Sequence, residues 1–194
     1  MGLIKLEHSR FAYRADFALY GAAVLAMAVT LLFGAPPGLR LELAALTLTG
    51  LAIWPPIEYA LHRYVLHGVQ PFCNWHALHH ARPMARIGSP TYFSASLFAV
   101  LFFLPAWGAI GPWPACALTL GVVSGYLAYG ITHHATHHWR AEGAWLKKRK
   151  RWHALHHHAP AANPGCYGVT NTFWDRACGS VYGGSARRDL PASN

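Results

Sequence analysis

Histidine is concentrated in four short clusters, and its spacing there is the clearest chemical pattern in the sequence. The chain contains 14 histidines, and all except His8 lie in "LHRYVLH", "WHALHHARP", "ITHHATHH" and "WHALHHHAP". On a helix each residue turns by about 100°, so an H-x-x-H-H run brings three imidazoles to one face. The clusters therefore have the spacing expected of metal ligands carried on helices.

Ten histidines follow this spacing and form the predicted ligand set. They are His62, His67, His76, His79, His80, His133, His137, His153, His156 and His157. Each H-x-x-H-H triplet is expected to converge, and His133 and His137 are expected to share one face. His62 and His67 differ by about 140° around an α-helix, so they should point to different parts of a site or flank a helix end. Ten imidazoles exceed what one metal ion uses, which predicts two ions.

Four histidines fall outside this pattern: His8, His134, His138 and His158. We expect each of them to lie at the surface or beside a ligand rather than to bind metal. The alternative for all the clusters is a set of solvated or lipid-facing histidines, or a buffering loop. That alternative is disfavoured because all four clusters have helical spacing and all are predicted at one face of a membrane.

The residues around the clusters restrict the kind of metal site. Neutral imidazole suits zinc, copper, iron and nickel, but a structural zinc site usually includes thiolates. The four cysteines form no C-x-x-C pair, and no H-E-x-x-H motif is present. A carboxylate-rich di-iron bundle needs several glutamates, whereas the chain has only seven acidic residues in all. A dinuclear site ligated almost entirely by histidine remains.

Long apolar stretches must position these clusters. The chain is 54% hydrophobic and 12% charged, and a membrane-spanning helix needs about 20 apolar residues. We predict an all-α integral membrane protein with a single domain over 1–194 and four transmembrane helices. The spans are predicted near 17–35, 41–61, 91–110 and 114–133, with a helical cap at 62–90 and 134–182 and a tail at 183–194. A soluble helical protein is disfavoured because the uncharged runs leave no solvated face.

The distribution of charge predicts the orientation in the membrane. With four spans, every lysine and arginine except Arg40 lies on the side that carries the histidine clusters. The positive-inside rule then places both termini and the metal site in the cytoplasm, and we expect a bacterial inner membrane. The net charge of +9 needs no nucleic-acid partner. The run "KKRKR" at 147–151 is expected to stay exposed, as an anchor or as a docking site for an acidic electron carrier.

The order and spacing of the clusters resemble those of the fatty acid hydroxylase (sterol desaturase-like) superfamily of membrane di-iron enzymes. Its motifs run H-x4-H, H-x2-H-H, H-x3-H and H-x2-H-H, as they do here. "IEYALHRYVLH" at 57–67 is similar to the first motif of fatty acid 2-hydroxylases. "GSPTYFS" and, at 167–180, "YGVTNTFWDRACGS" resemble later segments of the superfamily. The resemblance covers about 55–182.

This resemblance implies an O2-dependent hydroxylase that uses two iron ions, with zinc able to replace them during purification. The implied substrate is a lipid or fatty acyl chain at the membrane, with hydroxylation at C2. Relatives often carry a fused cytochrome b5 domain that this sequence lacks, so a separate cytochrome b5-like protein or ferredoxin would supply electrons. Five residues are candidates for supporting the ligands: Glu58, Tyr129, His134, His138 and Asp175. Tyr129-Gly130 stands where relatives commonly have Tyr-Asp, and His134 stands where tyrosine is frequent.

Other functions stay open at this point. A related desaturase, or a sterol or carotenoid hydroxylase, would use similar motifs, although "HHATH" lacks the His-Asp-Gly pattern of the carotenoid enzymes. A metal transporter or sensor is the alternative from a different class. Transport favours ionisable residues inside the spans, and the predicted spans one, three and four contain none before His133.

Overall fold

A computed structural model describes residues 6–159 and 164–182. Within these residues the secondary structure is helical, apart from an isolated bridge between Glu7 and Ile87. The α-helices are α1 (Arg10–Gly34), α2 (Arg40–Ala60), α3 (Phe72–Ala81), α4 (Thr91–Phe98), α5 (Leu104–Ile110), α6 (Pro112–His138), α7 (Ala144–His158) and α8 (Phe173–Ala177). Two π-helical segments, Leu61–Leu66 and Ala99–Phe103, extend α2 and join α4 to α5. The predicted tail at 183–194 lies outside the described residues.

Three helical segments in the described part of the chain are long and apolar enough to cross a membrane. They are Arg10–Gly34, Thr91–Ile110 and Pro112–His138, which include the first, third and fourth predicted spans. The second predicted span corresponds to α2, which is not in this set because Trp54, two prolines and Glu58 lower the hydropathy near its end. The sequence therefore predicted the helix, while its membrane crossing stays a proposal.

The helices end at positions that differ from the predicted spans. The first helix begins at Arg10, where the Ser9 hydroxyl accepts a hydrogen bond from the Ala12 amide at 3.1 Å. This contact satisfies one of the free amides at the helix start. At the other end of the fold, α6 continues to His138 because "ITHHATHH" contains no proline or glycine. The third histidine cluster thus lies on the last turns of the long helix rather than in a separate cap.

Helix α6 lies at the centre of the bundle and packs against α1, α2 and α5. Its contact with α2 is close because glycines face each other. A Cβ atom on Gly50 would lie 2.2 Å from the carbonyl oxygen of Leu118, and one on Gly121 would lie 2.1 Å from that of Thr47. Small residues allow this backbone approach in membrane helix pairs. The contact fixes the end of α2, which leads into the first cluster, relative to the end of α6.

Apolar side chains cover the outside of the long helices. Phe33 and Leu41 are each 84% exposed, and Leu32 and Leu101 are also exposed. So many exposed large apolar side chains on long helices are unusual for a protein surrounded by water. Because lipid tails can cover such a surface without loss of hydrogen bonds, the bundle is suited to a membrane.

The basic run at 147–151 lies on α7, and one of its charges is buried. Lys147, Lys148 and Arg151 are exposed, whereas Arg149 is only 4% exposed. The expectation that all five charges stay exposed is therefore wrong for Arg149. The helix turns this residue inward, four positions before the buried His153. Burial lowers the pKa of Arg149, and the charges of Glu58 and Asp175 offset this only in part.

Candidate metal centre

Two groups of five histidines lie side by side where α2, α3, α6 and α7 meet. Group 1 consists of His62, His67, His76, His80 and His156, and group 2 consists of His79, His133, His137, His153 and His157. In each group, one ring nitrogen from every residue lies within 4.8 Å of the others. The two groups together contain the ten histidines that the spacing singles out, and each group could hold a metal ion.

The first cluster enters group 1 through a π-helical segment. The rings of His62 and His67 lie 5.3 Å apart, centroid to centroid, and both belong to group 1. Of the two predicted alternatives, the one that points them to different parts of a site is wrong because Leu61–Leu66 is a π-helix with i→i+5 hydrogen bonds. The other agrees with the structure, since His67 lies directly after the end of this segment. The wider turn brings residues five apart to the same face, where an α-helix would separate them.

Each H-x-x-H-H triplet divides between the two groups. On α3, His76 and His80 belong to group 1 while His79 belongs to group 2. On α7 the assignment is reversed, since His153 and His157 belong to group 2 and His156 to group 1. The expectation that each triplet converges on one point is therefore wrong. Consecutive residues differ by about 100° on an α-helix, which directs adjacent imidazoles into neighbouring groups.

Main-chain carbonyls determine the tautomers of two histidines in group 1. The Nδ1 atom of His62 lies 2.6 Å from the carbonyl oxygen of Tyr167, and that of His156 lies 2.8 Å from the carbonyl oxygen of Gly165. A carbonyl oxygen only accepts, so Nδ1 carries the proton and the Nε2 lone pair stays free. The His62 Nε2 atom faces His76 Nε2 at 3.0 Å. Two nitrogens at this distance could both bind one cation.

Group 2 contains buried ring nitrogens that have no hydrogen-bond partner among the described residues. Both nitrogens of His79, the Nε2 atom of His133 and the Nδ1 atoms of His153 and His157 are in this state. The Nε2 atom of His153 also lies 2.8 Å from that of His137. A buried polar atom without a partner costs about 1–3 kcal/mol. A bound cation would satisfy the Nε2 atom of His133 and one ring nitrogen of His79, so the residues present fit a metal ion.

Burial keeps the histidines of the first π segment, α3 and α7 in the neutral form that binds metal. Burial lowers the pKa of His62, His76 and His153 well below the usual value, and the neighbouring imidazoles lower it further. The same causes lower the pKa of His79 to about 3 and that of His67 to about 4. Neutral imidazole is the form with a free lone pair, so both groups present ligands at neutral pH.

Glu58 supports group 1 through a loop rather than through a histidine. Its carboxylate accepts hydrogen bonds from the Val169 amide at 2.8 Å, the Thr170 amide at 2.9 Å and the Thr170 hydroxyl at 2.6 Å. The residues 164–172, which we call the closing loop, include Gly165 and Tyr167, whose carbonyls contact the ligands. Glu58 thus holds the part of this loop that follows the two carbonyls.

Asp175 holds the same loop from the other side. Its carboxylate is fully buried and accepts from the amides of Tyr167 and Gly168, each at 2.8 Å. The Ser180 hydroxyl at 2.8 Å and the Trp152 indole N–H at 3.2 Å also donate to it. Four donors stabilise the buried charge. The two predicted supporting carboxylates therefore act on the backbone that orients His62 and His156.

The other three predicted supporting residues lie beside the groups. The ring of Tyr129 stacks on that of His133, with centroids 5.8 Å apart and planes at 6°. His134 Nδ1 lies 3.1 Å from the hydroxyl of Tyr13, and the His138 ring lies 4.5 Å from that of His134. Neither of these two histidines belongs to group 1 or group 2, as the spacing predicts.

The remaining two histidines also lie outside the groups. His8 Nε2 donates to the Gly88 carbonyl at 3.1 Å, and His158 is exposed at the end of α7. Sequence reasoning missed the carbonyls of Gly165 and Tyr167 because a main-chain oxygen has no residue-type pattern. The positive φ of Gly165, 57°, is a backbone conformation that favours glycine, and the similarity at 167–180 was the available sign that this loop matters.

A largely apolar cavity of about 370 Å³ reaches both groups. His62 and His76 of group 1 and His79 and His133 of group 2 line its wall. Much of the remaining lining consists of aromatic and aliphatic side chains of α2, α4, the second π segment and α6, among them Trp54, Phe93, Leu97, Phe98, Leu101, Phe102 and Tyr126. An apolar ligand in this cavity would contact both groups at once.

Two curated proteins are similar to this chain over most of its length. The dihydroceramide fatty acyl 2-hydroxylase FAH2 of Arabidopsis thaliana is 32% identical over 146 residues, which are 69% of this chain and 59% of that protein. The ceramide very long chain fatty acid hydroxylase scs7 of Schizosaccharomyces pombe is 28% identical over 144 residues, 68% of this chain and 40% of that protein. The chain thus spans about half the length of these relatives.

A solved structure shares the fold. It is full-length scs7p, of which only the hydroxylase domain is visible, and it superposes with a TM-score of 0.76 at 24% sequence identity. The superposition covers 94% of this chain and 70% of that one. The family model described as fatty acid hydroxylase matches residues 47–180, which contain all ten histidines of the two groups. The chain belongs to the fatty acid hydroxylase family.

Proposed function

We propose that this protein is an O2-dependent hydroxylase that acts at C2 of a lipid acyl chain, with one iron ion held by each histidine group. The observation that carries the proposal is the pair of five-histidine groups at the wall of one apolar cavity. The family membership and the 2-hydroxylase activity named for relatives support it.

The protein residues have separable tasks in this reaction. The ten imidazoles would bind the metal ions through one nitrogen each, and zinc could replace iron because imidazole also suits zinc. A bound pair of iron ions would supply chemistry that amino acid side chains lack. With two electrons it would activate O2 so that one oxygen atom is inserted into a C–H bond. Glu58 and Asp175 hold the loop that orients two of the ligands, and Tyr129 packs against His133.

The cavity supplies the position of the substrate. Its volume of about 370 Å³ falls within the range of roughly 300–1,000 Å³ that is typical of ligand pockets. Apolar walls suit the methylene groups of an acyl chain and keep water away from the histidine groups. The walls at Phe98 and Phe102 belong to a helical segment that is apolar enough to cross a membrane, so the chain of a lipid could enter from the bilayer.

Topology and electron supply form part of the proposal. We propose that α2 also crosses the membrane, together with the three more apolar segments, so that the termini and both groups face the cytoplasm of a bacterial inner membrane. Electrons would come from a separate acidic carrier, either cytochrome b5-like or a ferredoxin. Lys147, Lys148 and Arg151 form an exposed basic face on α7, and α7 also carries ligands of both groups.

Lipid mass spectrometry tests the activity directly. Cells that express the wild-type chain should contain acyl chains one oxygen atom heavier, with fragment ions that place the hydroxyl at C2. Cells that express His79→Ala at the same membrane level should lack them. Acyl chains two hydrogens lighter would instead identify a desaturase, and unchanged lipids from metal-loaded protein with an active reductant would contradict the proposal.

A further inference from the structure

We infer that the two histidine groups are unequal metal sites, with group 1 the tighter one because Glu58 and Asp175 hold the closing loop against it. The inference rests on the proposed metal binding and adds an order of affinity that the ligand count alone does not give. Glu58 and Asp175 are positioning residues here, since neither carboxylate touches a histidine of the two groups.

The orientation of group 1 depends on two carbonyls of one loop. His62 comes from the first π segment and His156 from α7, yet their Nδ1 atoms donate to Tyr167 and Gly165 of the same closing loop. When one ring nitrogen of a histidine binds metal and the N–H of the other donates to an acceptor, the tautomer and ring orientation are fixed and the ligand is more basic. The loop therefore prepares two ligands of group 1 before any metal arrives.

The loop keeps its shape because two buried carboxylates hold it from opposite sides. The backbone at Gly165 and Cys166 has φ values of 57° and 52°, which an unrestrained chain seldom adopts for a residue such as cysteine. Glu58 is 3% exposed and Asp175 is fully buried. Removing either charge would leave buried donors on the loop without a strong acceptor and would release the carbonyls that orient His62 and His156.

Group 2 has no equivalent support among the described residues. The Nδ1 atoms of His79, His153 and His157 are buried and contact no acceptor there. Tyr129 packs on the His133 ring, but stacking does not select one ring nitrogen. The tautomer and orientation of these imidazoles become fixed only when the metal binds. The free energy of that ordering lowers the affinity relative to a site whose ligands are already oriented.

The test is a metal titration of the purified full-length protein in detergent. Metal-depleted protein is titrated with Co²⁺, both against a chelating dye and by visible absorption. The wild type should bind in two steps. Glu58→Gln and Asp175→Asn should each weaken the tighter step by about 10- to 100-fold, the usual effect of losing a group that orients a ligand. They should shift its absorption bands and leave the weaker step unchanged.

The matched control is Glu42→Gln, which alters an exposed carboxylate on α2, the helix that also carries Glu58. It should change neither step.

Single-ligand variants assign the steps. His67→Ala should remove the tighter step and His157→Ala the weaker one. Equal affinities in the wild type, or variants that weaken both steps together without a spectral shift, would overturn the inference and leave Glu58 and Asp175 as structural groups. Failure of the wild type to bind any Co²⁺ would instead contradict the proposed metal binding, so the two failures are distinguishable.

Discussion

Groups 1 and 2 contain the same number of imidazoles, but they differ in what surrounds them. Group 1 lies against the closing loop, which contributes two main-chain acceptors to its ligands. Group 2 takes His133 and His137 from the end of α6, and its buried nitrogens lack such acceptors among the described residues. Ligand identity and ligand orientation are therefore separate properties, and only the first is visible in the spacing of histidines.

The two groups are also supported by different parts of the fold. The first π segment extends α2 into group 1, while α6 carries the pair in group 2, and the close contact between Gly50 and Gly121 fixes one helix against the other. Helices α3 and α7 contribute to both groups. Damage to the α2–α6 contact should therefore affect both groups, whereas damage to the closing loop should affect mainly group 1.

Removing one ligand from either group should have the largest effect. His79→Ala in group 2 and His156→Ala in group 1 should each reduce hydroxylation below detection, because the proposed reaction uses both metals together to activate O2. The measurement is product formation per correctly inserted molecule, with the exposed His158→Ala as the control. If one of the two ligand variants kept substantial activity, its group would not be needed for the reaction.

A larger side chain at the helix contact should damage both groups through the fold. Gly50→Val places side-chain atoms where the Leu118 carbonyl already lies, and overpacking of this kind typically costs about 1–3 kcal/mol. We expect a lower melting temperature in detergent and weaker binding in both steps of the Co²⁺ titration. Gly21→Ala, at a glycine with open space around it, should behave like the wild type. A Gly50→Val protein of normal stability and metal binding would argue against this contact.

Neutralising the basic face of α7 should have a moderate effect that depends on the reductant. In a Lys147→Gln, Lys148→Gln, Arg151→Gln variant, turnover with a protein-borne reductant should fall by about tenfold, because charge complementarity raises association rates by about 10- to 1,000-fold. The salt dependence seen for the wild type should become weaker. Turnover with a small chemical reductant should stay unchanged. If the variant instead inserts poorly and turns over normally per inserted molecule, the face is a membrane anchor.

The smallest effect is expected at a histidine beside group 2. His138 follows His137 directly but belongs to neither group, and its nearest ring is that of His134. His138→Ala should keep most of the wild-type turnover, while His137→Ala should lose it. The comparison uses the same membrane fraction and reductant for both variants. Equal loss in the two would mean that the boundary of group 2 is drawn in the wrong place.

Much of this arrangement could be predicted from the sequence, because metal ligands and membrane helices both leave periodic patterns. Spacing singled out the ten histidines and separated them from His134 and His138. It failed for His62 and His67, since nothing in "LHRYVLH" indicates a π-helical turn. It also failed to divide the triplets, because the division depends on how α3 and α7 lie between the groups. Such packing is a property of the tertiary structure.

Two further features depend on contacts between distant segments. Arg149 belongs to a run of five basic residues, and composition alone predicts exposure for all of them. It is buried because α7 turns its side chain to the same inward face as His153, four residues later. The way in which Glu58 and Asp175 support the ligands was likewise hidden. Glu58 binds the backbone of a loop that lies more than 100 residues later in the chain. Asp175 binds the same loop from seven or eight residues away.

The most direct test of the two-group arrangement is the metal content of purified protein after anaerobic reconstitution with Fe²⁺. Iron and protein are quantified in the wild type, in His67→Ala from group 1 and in His157→Ala from group 2, with His158→Ala as the control. The two groups predict two ions per chain in the wild type and in the control, and one ion in each ligand variant. A single ion in the wild type, or the loss of both ions when one group alone is altered, would contradict two separate sites.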